Sequence, residues 1–423
     1  MTQPAALAAR LAEDYAGAAR ELSARAARRT AALAALTAQG LPTTRDENWK
    51  YANLRMLEKL RFAPAPPAAG AVTLPPGVAG FARCVFVDGR FAKALSEAPP
   101  ELSLLCLAAA PDDVPRAGPL GPDQRFALIN DLFAPDGAAI RVPAGESARL
   151  ELLFVARAES TSGASYPRLE LHLEREARLE LIERHVSAAD AASFVAGAVQ
   201  IELAPGASLT HYRLQQLSAK SVLFDTLEAR IARAASYRLH TLGTGAQAAR
   251  STLGVRLEGE RAELTLAVAA LGDRAQVQDT YARVEHAAAR TRTEELFRGI
   301  AAGRSRVAFN GKIVVARGAA GSDSQQSLRG LLAGAGAEVD VRPQLEIYTD
   351  EVRCSHGATT GKLDDDMLFY LLARGLERST AQRLLKWAFL EDVIARIAVP
   401  ELRRQSEAHI AAVLADDALK ELL

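Results

Sequence analysis

The sequence predicts a mainly β protein, in which a β-solenoid core is flanked by an N-terminal and a C-terminal α-helical domain. Between residues 126 and 348, apolar and polar side chains alternate with a period of two, which is typical of half-buried strands. Alternating segments begin at Ala177, Ala207, Ala235 and Ala262, at spacings of 30, 28 and 27 residues, with a second strand between successive members. Such a repeat indicates either stacked rungs or a sheet of repeated hairpins. We favour the solenoid because Asn-Gly and Asp-Gly hairpin turns are scarce between the strands.

Helical periodicity predicts the N-terminal domain, residues 1–62. Leu and Ala recur at helical spacing from residue 4 to 39 and a glycine follows, so one amphipathic helix is expected there. Thr44 and Glu47 form a capping-box pattern, which predicts a second helix from Arg45 to Leu60.

Prolines and glycines set off a connecting region, residues 63–125. Five prolines and three glycines between residues 63 and 80 predict a linker, because proline lacks a backbone donor and restricts the chain. Short strands and loops are expected from residue 81 to 125.

The C-terminal domain, residues 349–423, is predicted to be helical. Asp364 to Arg374 is acidic at its start and apolar along one face, and a glycine ends it. Ser379 with Gln382 predicts the start of the next helix, and Pro400 that of the last.

Charge and motifs exclude several classes of function. Lys plus Arg and Asp plus Glu both number 51, so the net charge is zero, which argues against a nucleic-acid or anionic-membrane partner. The chain has no run of about 18 apolar residues and carries acids near its start, so we expect a cytoplasmic protein. It also has no P-loop, GxSxG or HExxH pattern.

One glycine pattern resembles a dinucleotide-binding motif. Gly243 to Ala248 matches GxGxxA after a strand. Only about ten residues separate the flanking strands, too few for the usual helix whose N-terminus binds a pyrophosphate. We therefore expect a turn between rungs.

The three cysteines bound any metal chemistry. Cys84, Cys106 and Cys354 are far apart in the sequence, so they form no CxxC pair and are too few for a four-cysteine cluster. A cluster here would need ligands from another chain. Cys84 and Cys106 lie in apolar runs and are expected to be small buried hydrophobic residues.

Histidines give one candidate site. Those on predicted strands are expected to be solvated or satisfied surface residues: His172, His185, His211, His240 and His286. Cys354 and His356 differ, because their spacing places thiol and imidazole on one face of an extended segment. Such a pair can coordinate a soft or borderline metal. The alternative is a structural turn between strand and helix.

Several segments together resemble the SufB/SufD family of iron–sulfur cluster assembly proteins. The similarity is strong at Pro343–Thr359 and Leu368–Gly375, extends back to Phe309–Ile313 and Ser322–Ser327, and includes Arg45–Tyr51 near the start. The N-terminal segment and the His-Gly-Ala-Thr sequence favour the SufD branch. The resemblance implies a right-handed parallel β-helix and a non-catalytic scaffold, not an enzyme.

The resemblance also implies partners and a site. It implies a heterodimer with a SufB-like subunit, with His356 and Cys354 contributing to a nascent iron–sulfur cluster at their interface. A SufC ATPase would bind the C-terminal helices, for which the candidate residues are Phe369, Tyr370, Leu384, Trp387 and Phe389. The resemblance to relatives that are thought to bind a flavin makes a flavin the second candidate cofactor. A homodimeric scaffold of the same family and a β-solenoid carbohydrate-active enzyme remain the alternatives.

One departure from the family pattern restricts this inference. Where relatives often carry His-x-x-Pro-His-Thr, this chain has His286 followed by Arg290 and Thr291. A ligand role for a second histidine at that place is therefore not inferred.

Overall fold

The computed structural model describes residues 3–22, 24–43, 45–52, 54–67, 72–107 and 123–414. Its centre is a parallel β-solenoid made of two sheets of ten strands each. The first sheet runs, in spatial order, through β2 (Arg90–Phe91), β1 (Ala82–Val87), β5 (Ser147–Ala156), β8 (Arg178–Ser187), β10 (Ser208–Leu217), β12 (Ser236–Gly245), β14 (Glu263–Gly272), β16 (Arg292–Ala302), β18 (Ser322–Ala333) and β20 (Val352–Lys362). The second contains β3 (Ser103–Cys106), β4 (Ala138–Val142), β7 (Arg168–Leu173), β9 (Phe194–Leu203), β11 (Val222–Ile231), β13 (Ala248–Leu257), β15 (Val277–His286), β17 (Arg306–Val315) and β19 (Glu338–Ile347), with β6 (Ala164–Ser165) paired to β9.

Strand pairing confirms the predicted solenoid rather than repeated hairpins. From β7 onwards, each strand pairs in parallel with the strand two positions further along the chain; Leu209 of β10, for example, lies beside Tyr237 of β12 and Leu179 of β8. Successive strands therefore alternate between the two sheets. Parallel neighbours need a crossover connection, which the opposite sheet supplies here.

The GxGxxA segment is a turn, as expected. β12 ends at Gly245 and β13 begins at Ala248, so two residues connect them and leave no room for a helix. Gly245 and Ala246 both have positive φ values, 74° and 52°.

Apolar side chains fill the interior between the sheets. Leu, Val and Ile repeat at equivalent inner positions of successive rungs, such as Val199, Leu227 and Leu253. Because the strands stack in register, each inner side chain packs against its equivalent in the rungs on either side. Burial of this continuous stack is the main source of stability in such a repeat.

Helices cover the outer faces of both sheets. Phe194 and Phe224 on the second sheet pack against the N-terminal helices and α3 (Arg125–Phe133). On the first sheet, Tyr212 and Leu242 pack against the helices α5 (Arg378–Ile394) and α6 (Pro400–Val413). A shorter helix, α4 (Asp365–Ala373), precedes them. In the described part of the chain, no helix is long and apolar enough to cross a membrane.

The N-terminal region differs from the predicted helices. The expected single helix over residues 4–39 is two, α1 (Gln3–Ala18) and α2 (Ala26–Gln39), because Arg25 adopts a left-handed conformation with φ 60°. The predicted helix from Arg45 to Leu60 is instead two short 3-10 helices, Glu47–Trp49 and Leu54–Lys59. Thr44 of the proposed capping box lies outside the described residues.

The start of the predicted β region is also different. Residues 125–133 form α3 rather than a strand, and most of its side chains are buried. Apolar residues lie on nearly all sides of this helix, so its sequence shows no helical periodicity.

Candidate functional site

The two ends of the solenoid are built differently. At the start, the edges are short strands that pair antiparallel, β2 with β1 and β3 with β4. At the other end, β19 and β20 are long parallel strands, each the last of its sheet in the described chain. β19 has no fully buried residue and β20 is mostly exposed. The final rung therefore presents its backbone edge and inner side chains to solvent.

Cys354 and His356 lie on this final rung, in strand β20. Their cross-strand partners are Ser324 and Gln326 of β18, which are both buried. Residues paired in register on parallel strands point to the same face of a sheet. The two candidate ligands therefore face the inner side of the open rung, as the sequence spacing predicted for an extended segment.

The two side chains differ in environment. Cys354 is half-buried and packs against the inner core, whereas His356 is exposed. Burial, with the nearby Asp323 carboxylate, raises the pKa of the Cys354 thiol. A metal binding there would have to displace a proton, since the thiolate is the ligand. Among the described residues, no group of three or more His, Cys, Asp and Glu side chains is placed to hold a metal ion. A complete site would thus need donors from another molecule.

A polar pair that the sequence did not predict lies in register with His356 on the two preceding strands of the sheet. Glu295 and Gln326 are almost fully buried, and Gln326 Nε2 donates to Glu295 Oε2 over 2.7 Å and to the carbonyl oxygen of Gly311 over 3.1 Å. Burial raises the pKa of the Glu295 carboxyl to about 7. An alignment of the repeats in register would have revealed the pair. Glu295 takes the position that the inner-facing Leu266 has in the preceding rung, so a polar residue stands at an apolar position.

The other strand histidines are mostly not at the surface, so that expectation was wrong. His185, His211, His240 and His286 are buried, and only His172 of this group is exposed. The reason is that three of them take inner positions between the sheets, in register with Phe154, Leu239 and Leu257. His240 lies on the outer face beside Tyr212, which the C-terminal helices cover.

A charged network in the interior holds two of these histidines. Glu183 accepts from His185 at 2.6 Å, from His211 at 2.9 Å and from Arg213 at 2.8 Å. Arg213 also donates to Asp225 at 2.7 Å. Burial alone would raise the pKa of Glu183, but Arg213 and the two imidazoles hold it well below its usual range. Burial lowers the pKa of His211.

The remaining cysteines and Arg290 lie away from the final rung. Cys84 is buried, and burial raises its pKa to about 11, as expected for a small hydrophobic residue. Cys106 is only half-buried, on the edge strand β3. Arg290, where relatives often have histidine, is on an exposed turn with φ 57° and forms an ion pair with Glu260.

The five candidate partner-binding residues fall into two groups. Phe369 and Tyr370 on α4 are exposed, at 72% and 57%. Tyr370 and Leu384 line an apolar groove of about 480 Å³ between α4 and α5, together with Met367, Leu371, Leu385 and Ala388. Trp387 and Phe389 instead pack against the cluster that joins α5 to the first sheet. Phe369, Tyr370 and Leu384 are therefore available for contact with a partner. Trp387 and Phe389 mainly anchor α5 to the first sheet.

Comparisons with known proteins agree with this arrangement. A family model described as "SUF system FeS cluster assembly, SufBD core domain" matches residues 154–389. The iron-sulfur cluster assembly protein SufD of Escherichia coli (strain K12) is 32% identical, over 88% of this chain and 89% of its own. A SufBD family protein of Synechocystis is 29% identical over 86% and 85% of the two chains, and the chloroplastic protein ABCI7 of Arabidopsis thaliana is 28% identical over 68% and 63%.

Fold and site together define a β-solenoid protein with one open end that carries two candidate metal ligands. The chain belongs to the SufB/SufD family of iron–sulfur cluster assembly proteins. Within that family it is SufD-like. Membership favours an assembly role over the carbohydrate-active alternative.

Proposed function

We propose that this chain is a non-catalytic scaffold subunit of a SufBCD-type complex, in which its open end pairs with a SufB-like subunit and helps to build a nascent iron–sulfur cluster. The observation that carries the proposal is the final rung, where Cys354 and His356 share the inner face of an uncovered strand. The cluster is the cargo of the reaction rather than a resident cofactor.

The open end has the chemistry of an interface. Val339, Val341 and Leu345 of β19 are inner-facing and only partly buried. A second solenoid end placed against them would cover this apolar surface and pair the free strand edges. Exposed parallel edges of ten or more residues are otherwise prone to uncontrolled pairing.

The donor set supports a shared cluster site. A thiolate and an imidazole are both iron ligands, but two donors do not enclose a cluster. The partner's residues would complete the coordination, and the surrounding rung would orient the donors.

The groove between α4 and α5 supports the ATPase partner. Its lining is almost entirely apolar, and Phe369 beside it is the most exposed of the large hydrophobic side chains in the described chain. Exposed aromatic side chains next to an apolar groove are typical anchors of protein interfaces. We propose that a SufC-type subunit binds here.

The cluster role is tested with His356→Ala in the complex co-expressed with SufB-type and SufC-type subunits. We expect normal complex recovery but loss of cluster absorbance after anaerobic reconstitution. Ser355→Ala is the matched control, because Ser355 is exposed on the opposite face of the same strand. A normal cluster yield from the His356 variant in an intact complex would refute the ligand role. A chain that forms only homodimers when both partners are present would instead support the homodimeric scaffold.

The ATPase partner is tested separately with Phe369→Asp. Co-purification of the SufC-type subunit should fall at least about tenfold, the loss expected for an interface anchor, while the melting temperature stays unchanged. Leu95→Asp is the control, since Leu95 is also exposed (43%) but lies outside the C-terminal helices. Unchanged SufC recovery with the Phe369 variant would place the contact elsewhere.

A further inference from the structure

Glu295, Gln326 and His356 occupy one inner column of the last three rungs in the first sheet. The register pairs Leu266 with Glu295, Glu295 with Gln326, and Gln326 with His356. Leu266 is buried and apolar, as expected for an inner position. His211, further back, is also a polar residue of this column, but three successive polar residues come only at the open end.

The orientation of the Gln326 amide is fixed by its neighbours. Its nitrogen lies 3.1 Å from the carbonyl oxygen of Gly311, which can only accept a hydrogen bond. The nitrogen also donates to Glu295 at 2.7 Å. The other amide atom, Gln326 Oε1, must then be an acceptor, and it is buried with no hydrogen-bond partner in the described part of the chain. An acceptor left in this state is destabilising, because it has lost its hydrogen bonds to water without replacement.

Gly311 leaves the space that this arrangement needs. A Cβ atom at that position would lie 2.8 Å from Gln326 Nε2 and 2.9 Å from Glu295 Oε2. Any other residue would therefore push the pair out of place. Glu295 and Gly311, on two different strands, thus hold the Gln326 amide in a single orientation.

We propose that Gln326 is the positioning residue for His356: its Oε1 accepts the ring N–H of the imidazole and leaves the other ring nitrogen free for iron, while Glu295 and Gly311 hold the amide. Adjacent parallel strands are about 4.8 Å apart, which brings an in-register glutamine and histidine within hydrogen-bond reach. Metal-binding histidines usually donate their second N–H to such an acceptor, which fixes the tautomer. The inference rests on the proposed function, in which His356 is a ligand, and deepens it.

The first test reads the tautomer of His356 in the whole, metal-free chain by nitrogen-15 NMR of labelled histidines, with His356→Gln to assign the signal. We expect one dominant tautomer at pH 8 in the parent protein and a mixture of the two in Gln326→Leu. Leucine is chosen because Leu266 occupies the equivalent position two rungs earlier. If that variant does not fold, Gln326→Met gives the same measurement. An unchanged tautomer ratio in a folded variant would overturn the proposal.

The second test measures iron binding in the co-expressed complex. Gln326→Leu should weaken iron retention about tenfold, the usual effect of losing a partner that orients a ligand. Glu295→Gln keeps an oxygen acceptor for the Gln326 amide and should retain most binding, whereas Glu295→Leu should lower it. Equal iron retention in all three variants would overturn the positioning role.

The ligand role of His356 and the positioning role of Gln326 can be refuted separately. If His356→Ala forms clusters normally, the ligand role fails, and the tautomer measurement still decides whether Gln326 bonds to His356. If His356→Ala abolishes clusters but Gln326→Leu changes neither tautomer nor iron retention, the positioning role alone fails.

Discussion

Burial disfavours the protonated form of some histidines in the solenoid, of which His286 is one. His286 Nδ1 lies 2.8 Å from the Thr291 hydroxyl, which in turn lies 2.8 Å from that of Ser322. Its Nε2 is buried without a partner in the described chain. Burial lowers the pKa of His286 to about 4. The nearby Asp323 carboxylate favours the protonated ring, but burial outweighs it.

Acid should therefore destabilise the protein through this residue. The unfolded chain takes up a proton on His286 near pH 6.5, but the folded chain does so only near pH 4. The stability contribution of the neutral ring is thus fully present above pH 6.5 and is lost as the pH falls from 6.5 to 4, by at most about 3 kcal/mol. His286→Gln should reduce the fall in melting temperature between pH 7 and pH 5. His172→Gln, at an exposed position, is the control, and equal slopes for the two variants would contradict the prediction.

Individual helices depend on particular polar contacts. Arg29 of α2 is buried, and its guanidinium donates to the carbonyl oxygens of Leu132 at 2.7 Å and Ala134 at 2.8 Å at the end of α3. A third bond, at 2.9 Å, goes to Ala24 just before α2. The last carbonyl groups of a helix have no hydrogen-bond donor inside the helix. Arg29 supplies donors to these groups at the end of α3.

Replacing Arg29 should loosen the N-terminal helices from the solenoid. Arg29→Met keeps the apolar volume but leaves buried carbonyl groups unpaired, which we expect to cost about 2–4 kcal/mol. Urea denaturation at pH 7 measures the loss. Arg20→Met, an exposed position, should change the free energy of unfolding by no more than about 0.5 kcal/mol. Similar values for the two variants would show that Arg29 does not join the elements.

Elements with a simple period were predictable, whereas those shaped by tertiary contacts were not. The alternation and the 27–30 residue spacing predicted the solenoid, because inner side chains must recur at equivalent positions of each rung. The break at Arg25 left no signal, since Leu and Ala continue at helical spacing on both sides of it. Trp49 belongs to a short 3-10 helix, not to the predicted α-helix, because it packs against Phe126 and Phe224 of distant segments.

The candidate site was predictable only in part, because strand periodicity shows which residues share a face but not which strands are neighbours. Spacing alone placed Cys354 and His356 on one face. It did not show that this face belongs to the last, uncovered rung, nor that Glu295 and Gln326 lie behind it, because both facts depend on register between strands about 30 residues apart.

In the part of the chain that the structure describes, the solenoid presents a single open end, and a charge placed there should block the proposed pairing without unfolding the chain. Ala358 is exposed, and its partner Leu328 is buried on the inner face. Ala358→Arg would put a charge into the proposed interface, which is costly without a partner of opposite charge. We expect recovery of the SufB-like subunit to fall strongly while the melting temperature is kept.

Thr359→Arg is the matched control for this prediction. Thr359 is also exposed but is the next residue of the strand, so its side chain points to the opposite face. Equal recovery of the partner with both variants would place the interface elsewhere.

The difference between the two ends also limits how far assembly can grow. Antiparallel strands and their connections finish the first rungs, and they offer no parallel edge to another solenoid. A chain that could bind at both ends would polymerise into fibres, as heterologous contacts that do not close always do. Under the proposed pairing, an end-to-end contact would use the open edge of each described solenoid. Assembly would then stop at two solenoids, and whatever is built between them would be enclosed at the centre of a finished particle.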